Sequence, residues 1–83
     1  MQVTVRYFAS IREAMGKSSE VMNTTASTLQ ELRDSLIARG GDAGQSLERG
    51  RAVRMALNQV MSEESAPLID GAEVAFFPPV TGG

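Results

Sequence analysis

One helix signal, set among short alternating segments, most constrains what this chain can fold into. Thr28-Leu29-Gln30-Glu31 fits a capping box. The Thr28 hydroxyl can accept from the backbone N–H of Glu31, and the Glu31 carboxylate can reach back. Leu29, Leu32, Leu36 and Ile37 lie on one apolar stripe, and Gly40-Gly41 ends the helix. Around this helix the apolar period is two. Val3, Val5 and Tyr7 alternate with Gln2, Thr4, Arg6 and Phe8, which reads as a strand. Ser18 to Asn23 reads as a shorter second strand, pairing with the first like a hairpin. Val53, Met55 and Leu57 alternate with Arg54, Ala56 and Asn58 in a third. Glu73 to Phe77 is the last, ended by Pro78-Pro79, because proline cannot donate to a ladder.

The connections are legible as well. Ser10 to Met15 predicts one or two helical turns stopped by Gly16. Asn58-Gln59 begins a turn into Val60-Met61, and Asp70-Gly71 marks another. The polar, glycine-rich stretch from Gly40 to Gly50 predicts a mobile surface loop. One-sided strands and a one-sided helix must cover each other. The economical packing is α+β: a single mixed sheet with one main helix across one face. With the first strand parallel to the last, the C-terminal segment emerges at one end of the sheet.

Composition removes most chemistry. The 83 residues make one domain with a net charge of −2, which leaves no electrostatic footprint for nucleic acid. Cysteine and histidine are both absent, so there is no thiolate, no imidazole base and no metal site built on them. The scattered Ser, Thr, Asp and Glu residues and the single Lys17 form no triad or phosphate loop. No signal peptide precedes the first strand pattern, and no apolar run is long enough to span a bilayer. The expectation is a cytoplasmic protein without a membrane partner.

What remains is the end of the sequence. Phe76-Phe77-Pro78-Pro79-Val80-Thr81-Gly82-Gly83 places a slim segment directly behind a core strand. Glycine has no Cβ, so Gly82 and Gly83 could pass through a tunnel that any other residue would block. The usable group at the tip is the α-carboxylate of Gly83. We therefore expect the folded α+β domain over residues 1–77 and a flexible Gly-Gly tail over 78–83.

These features are similar to those of the ubiquitin-like β-grasp proteins, which share the element order and the terminal Gly-Gly. Within them the chain resembles the small subunits of molybdopterin synthase. The carrying residues are Tyr7-Phe8-Ala9 with Arg12-Glu13, Ala56-Leu57-Asn58-Gln59, Pro67-Leu68, Asp70-Gly71 and the run from Glu73 to Gly83. Ala72 departs from the pattern, since the family usually carries an acidic residue after Asp-Gly, and that substitution is expected to loosen the turn. The resemblance implies sulfur carriage. An E1-like adenylating enzyme would use ATP to activate the Gly83 carboxylate, and a persulfide donor would convert it to a thiocarboxylate. The tail would then enter the large synthase subunit, in a heterotetramer, and give its sulfur to a pterin precursor. The carrier itself would bind no cofactor or metal, and the catalytic residues would sit on the large subunit. A sulfur carrier for thiazole or tRNA thiolation, or a ubiquitin-like protein modifier, would use the same tail.

Gly83 and Gly82 are then the working end. Phe8 and Phe77 share the face away from the helix if their strands are neighbours, and an exposed aromatic pair there suits a partner. Met61 either joins them or fills the core. Pro78, Pro79, Val80 and Thr81 would line the path of insertion. Phe76 alternates to the core side with Val74. Arg49, Arg51 and Arg54 read most simply as a solvated face, with docking to an acidic partner as the sharper alternative.

Overall fold

A computed structural model describes residues 1–79. Among them the order is β1 (Gln2–Tyr7), α1 (Ala9–Met15), β2 (Ser19–Asn23), α2 (Leu29–Ile37), α3 (Gly41–Ser46), β3 (Arg54–Leu57), β4 (Val60–Ser62) and β5 (Glu73–Phe77). The five strands form one mixed sheet in the order β2-β1-β5-β3-β4. β1 and β5 run parallel at its centre, and the other neighbours are antiparallel. The β-grasp architecture expected from the sequence is therefore present. Among the described residues, no helix is long and apolar enough to cross a membrane.

The core lies between α2 and one face of the sheet. Leu29, Leu32 and Leu36 are fully buried, as are Val5, Val74 and Phe76. Tyr7 stacks with Phe76 at 6.5 Å between ring centroids. Its hydroxyl donates to Glu20 at 2.8 Å, and Arg39 donates to the same carboxylate at 3.0 and 3.1 Å. Burial, then the bond to Glu20, pushes the Tyr7 phenol above its ordinary value. The hydrogen bonds from Arg39 hold the Glu20 carboxyl below the usual range, against the upward push of its partial burial.

The helix cap forms with one amendment. The Thr28 hydroxyl accepts from Glu31 N–H at 3.2 Å, whereas the Glu31 carboxylate reaches one residue further back, to the N–H and hydroxyl of Ser27. Asn58 and Gln59 both have positive φ, 50° and 69°, the geometry of a tight two-residue hairpin. The Asp70-Gly71 turn is not loosened by Ala72. Ala72 is buried and its carbonyl accepts from Thr4 N–H at 2.9 Å, while the Asp70 carboxylate accepts from Gln2 N–H at 2.8 Å.

The expected loop from Gly40 to Gly50 is corrected. Gly41–Ser46 is a helix, and Leu47 behind it is fully buried. Gly44 passes so near α2 that a Cβ there would lie 2.6 Å from the Ile37 carbonyl oxygen, so close packing needs the missing side chain. Arg33, only 3% exposed, organises the segment after α3. Its guanidinium donates to the carbonyls of Leu47, Glu48 and Arg51 at 2.7, 2.7 and 3.1 Å, and to Glu64 at 3.2 Å. A buried guanidinium with four acceptors is well satisfied, and it fixes the path of residues 47–51. Arg49 is likewise no free solvated side chain. It bridges Asp34 at 2.7 Å and Glu64 at 2.6 Å, and its bonds to Glu64 and then Asp34 raise it above arginine's ordinary value.

Candidate partner interface

The sheet has a second face, opposite α2. Its residues are set by strand alternation and the observed register. Arg6 pairs with Ala75, Ala75 with Ala56, and Ala56 with Met61, which makes one row across four strands. The next row pairs Phe77 with Arg54. Phe8 joins this row because the ladder continues past β1, with Phe8 N–H donating to the Phe76 carbonyl at 3.1 Å.

The two aromatics expected to meet do so. Phe8 and Phe77 make an edge-to-face pair with centroids 6.2 Å apart. The Arg6 guanidinium carbon lies 5.4 Å from the Phe8 ring centroid, and Arg6 also bridges Glu73 at 3.2 Å. Phe8 is 38% exposed, Met61 is 54% exposed, and Phe77 is half-buried. Met61 therefore belongs to this outer surface rather than to the core. Ala56 was not anticipated: it is buried although it stands outside the core cluster. Small residues at positions 56 and 75 leave a shallow apolar floor between Met61 and Phe77. That arrangement suits the seating of another protein's side chains, since it offers apolar area framed by charge and no reactive group.

At the tail root, Pro78 and Pro79 are half-buried and line a groove of about 260 Å³ with Ser10, Ile11, Arg51 and Val53. Proline's fixed φ stiffens the exit from β5. Val80, Thr81, Gly82 and Gly83 lie outside the described residues. Among the described residues, no cluster of acidic side chains could hold a metal ion.

Sequence reasoning did not single out the position of Arg54 beside Phe77. The signal was present, because strands paired in register put directly opposite residues on one face. Arg54 and Phe77 share a parity that only the β3–β5 pairing makes visible.

Known proteins resemble this chain over nearly its whole length. The model of the ThiS family matches residues 5–83. The molybdopterin synthase sulfur carrier subunit of Escherichia coli (strain K12) is 38% identical over 81 residues, covering 98% of this chain and 99% of the relative. Among solved structures, the complex of subunits 1 and 2 of the molybdopterin-converting factor from Helicobacter pylori 26695 contains a similar chain. It has a TM-score of 0.68 and 30% identity, with both chains covered in full. The small archaeal modifier protein 1 of H. volcanii superposes with a TM-score of 0.75 at 20% identity, covering 95% of this chain and 98% of that one, and it shares the fold.

Proposed function

Because this chain belongs to the ThiS family, we propose that it is the sulfur-carrier subunit of a molybdopterin synthase, with the Gly83 carboxylate as its working group. The observation that carries this reading is the full-length likeness to a curated sulfur carrier subunit. The lack of Cys and His beside the Gly82-Gly83 pair supports it. A carboxylate is a poor electrophile until one oxygen becomes a leaving group. An adenylating partner supplies that leaving group, transferring AMP from ATP to the carboxylate and releasing pyrophosphate. The terminal sulfur of a persulfide donor displaces AMP to give an acyl disulfide. A second thiol of the donor system cleaves that S–S bond, becoming a disulfide with the donor and releasing a thiocarboxylate. The thiocarboxylate carries soft, nucleophilic sulfur without any thiol side chain on this chain. The large synthase subunit receives the tail and holds the pterin precursor that accepts the sulfur.

The chain's own residues do the positioning. Phe8, Phe77 and Met61 seat the body against the large subunit. Pro78 and Pro79 limit the entropy lost when the tail inserts. Six residues from Pro78 to Gly83 span roughly 20 Å when extended, which reaches a buried site while the domain stays outside.

Two measurements test this. Intact mass of the native protein should show a sulfur-for-oxygen exchange at the C-terminus, and its absence under conditions of active cofactor synthesis counts against the reading. Deleting Gly83 draws the carboxylate back by about 3.5 Å. A positioned reaction should then fall by about a hundredfold or more. Gly82→Val keeps the length but adds a branched Cβ that narrow passage excludes. Both variants should melt like the parent. Full ATP-dependent activation and sulfur transfer by either one sinks the proposal.

A further inference from the structure

The eight cationic side chains divide sharply. Arg6, Lys17, Arg33, Arg39 and Arg49 all make ion pairs within the domain. Among the described residues, Arg12, Arg51 and Arg54 make none. Two of these three stand at the root of the tail. Arg54 is directly opposite Phe77 in the β3–β5 register, and Arg51 lines the groove with Pro78 and Pro79. Both are exposed. Arg49, close in sequence, is tied to Asp34 and Glu64. The three arginines thus have different jobs: one holds the domain together and two face outward beside the exit strand.

We propose that Arg51 and Arg54 form a cationic collar that docks against carboxylates on the large synthase subunit, arranged around the opening that takes the tail. The inference rests on the carrier reading above and adds the chemistry of the partner's rim. Any partner seated on Phe77 also covers or borders Arg54. A guanidinium drawn out of water without an anion is costly, so a compatible rim presents acidic groups there. Arginine also suits planar, two-pronged pairing with carboxylate, and it is enriched at interfaces. The collar is continuous with the outer apolar face, because Arg54 and Phe77 occupy one row of it. The domain as a whole is weakly acidic, with a net charge of −2. The net charge therefore gives no overall attraction to an acidic rim, and the two arginines supply the local positive field that steers the approach bringing the tail root to the opening.

The test uses full-length carrier and purified large subunit, with binding kinetics read at low and at near-physiological salt. The double variant Arg51→Gln/Arg54→Gln should lose about tenfold in affinity at low salt, mostly through slower association, and its salt dependence should flatten. Arg51→Lys/Arg54→Lys should recover most of that loss, because the charge is kept. Arg49→Gln should leave association unchanged. All the variants should fold, and the two collar side chains are exposed, so melting curves of the collar variants should match the parent. Normal affinity of the double glutamine variant overturns the collar. So does a loss that is equal at both salt concentrations, or one seen only with the adenylating enzyme. A parent chain that does not bind the large subunit brings down the carrier reading as well, whereas a binding parent with an unaffected double variant brings down the collar alone.

Discussion

Strand β5 separates two surfaces that alternate residue by residue yet are built on opposite plans. On the inner side Val74 and Phe76 are fully buried, packed with Val5, Leu32 and Leu36. On the outer side Ala75 and Phe77 stay half-buried, with small floor residues, two aromatics at 6.2 Å and arginines at the margin. The inner surface is complete in itself. The outer surface has exposed apolar area and, at Arg54, a charge that makes no ion pair among the described residues. A single strand of five residues thus buries one set of side chains in the core and leaves the other set half-buried on the outer face.

The contrast can be broken most forcefully from the inside. Leu36→Ala should destabilise the domain by about 2–5 kcal/mol in denaturant melts, since the site is fully enclosed. A loss near zero would mean that the inner surface is not the stabilising one. Next comes the polar edge of the same layer. Arg33→Met keeps much of the volume but strips the donors from the carbonyls of Leu47, Glu48 and Arg51. Leaving such acceptors unpaired should cost about 2–4 kcal/mol. Hydrogen exchange should show the loss concentrated in residues 41–53.

The outer surface should respond in the reverse sense. Phe8→Ala and Phe77→Ala should each weaken association with the large subunit by about 1–3 kcal/mol while the melting temperature changes little. A large drop in melting temperature with unchanged binding would exchange the roles of the two surfaces.

The smallest effect concerns pH. The folded Glu20 carboxyl is depressed, chiefly by Arg39. Its contribution to stability is present above the ordinary carboxylate value and is lost as pH falls through the folded one. Glu20→Gln should therefore flatten the acid limb of a stability profile as pH falls below the ordinary carboxylate value. An unchanged limb would show that the inner surface owes nothing to this carboxylate.

These regions also differ in how openly the sequence announces them. α2 carries its cap at Thr28 and its stripe at Leu29, Leu32 and Leu36 in local spacing, so its face and its start are readable without a structure. β5 and the Phe8–Phe77 pairing emerge from alternation once β1 and β5 are made neighbours. α3 could not be read, because Gly41-Asp42-Ala43-Gly44-Gln45-Ser46 has poor intrinsic helix propensity. It is held by tertiary features instead: the close pass of Gly44 against Ile37, the burial of Leu47, and the Arg33 guanidinium collecting carbonyls just beyond it. An arginine on a helix looks like solvated surface until the acceptors that surround it are known. The division among the neighbouring arginines was hidden for a similar reason. Arg49, Arg51 and Arg54 look alike in sequence, and only their partners tell them apart.

The parallel pairing of β1 with β5 has a further consequence, for the order of folding events. The strand written last lies at the centre of the sheet, between the strand written first and β3. Until Phe77 has been synthesised, β1 and β3 have no common neighbour, and the inner surface lacks Val74 and Phe76. Closing so long a loop is slow compared with forming α2 alone. A chain cut short before its final strand therefore has no cooperative native state to reach. Completion of the domain thus reports that the chain has been read through β5, to the root of the segment that follows Phe77.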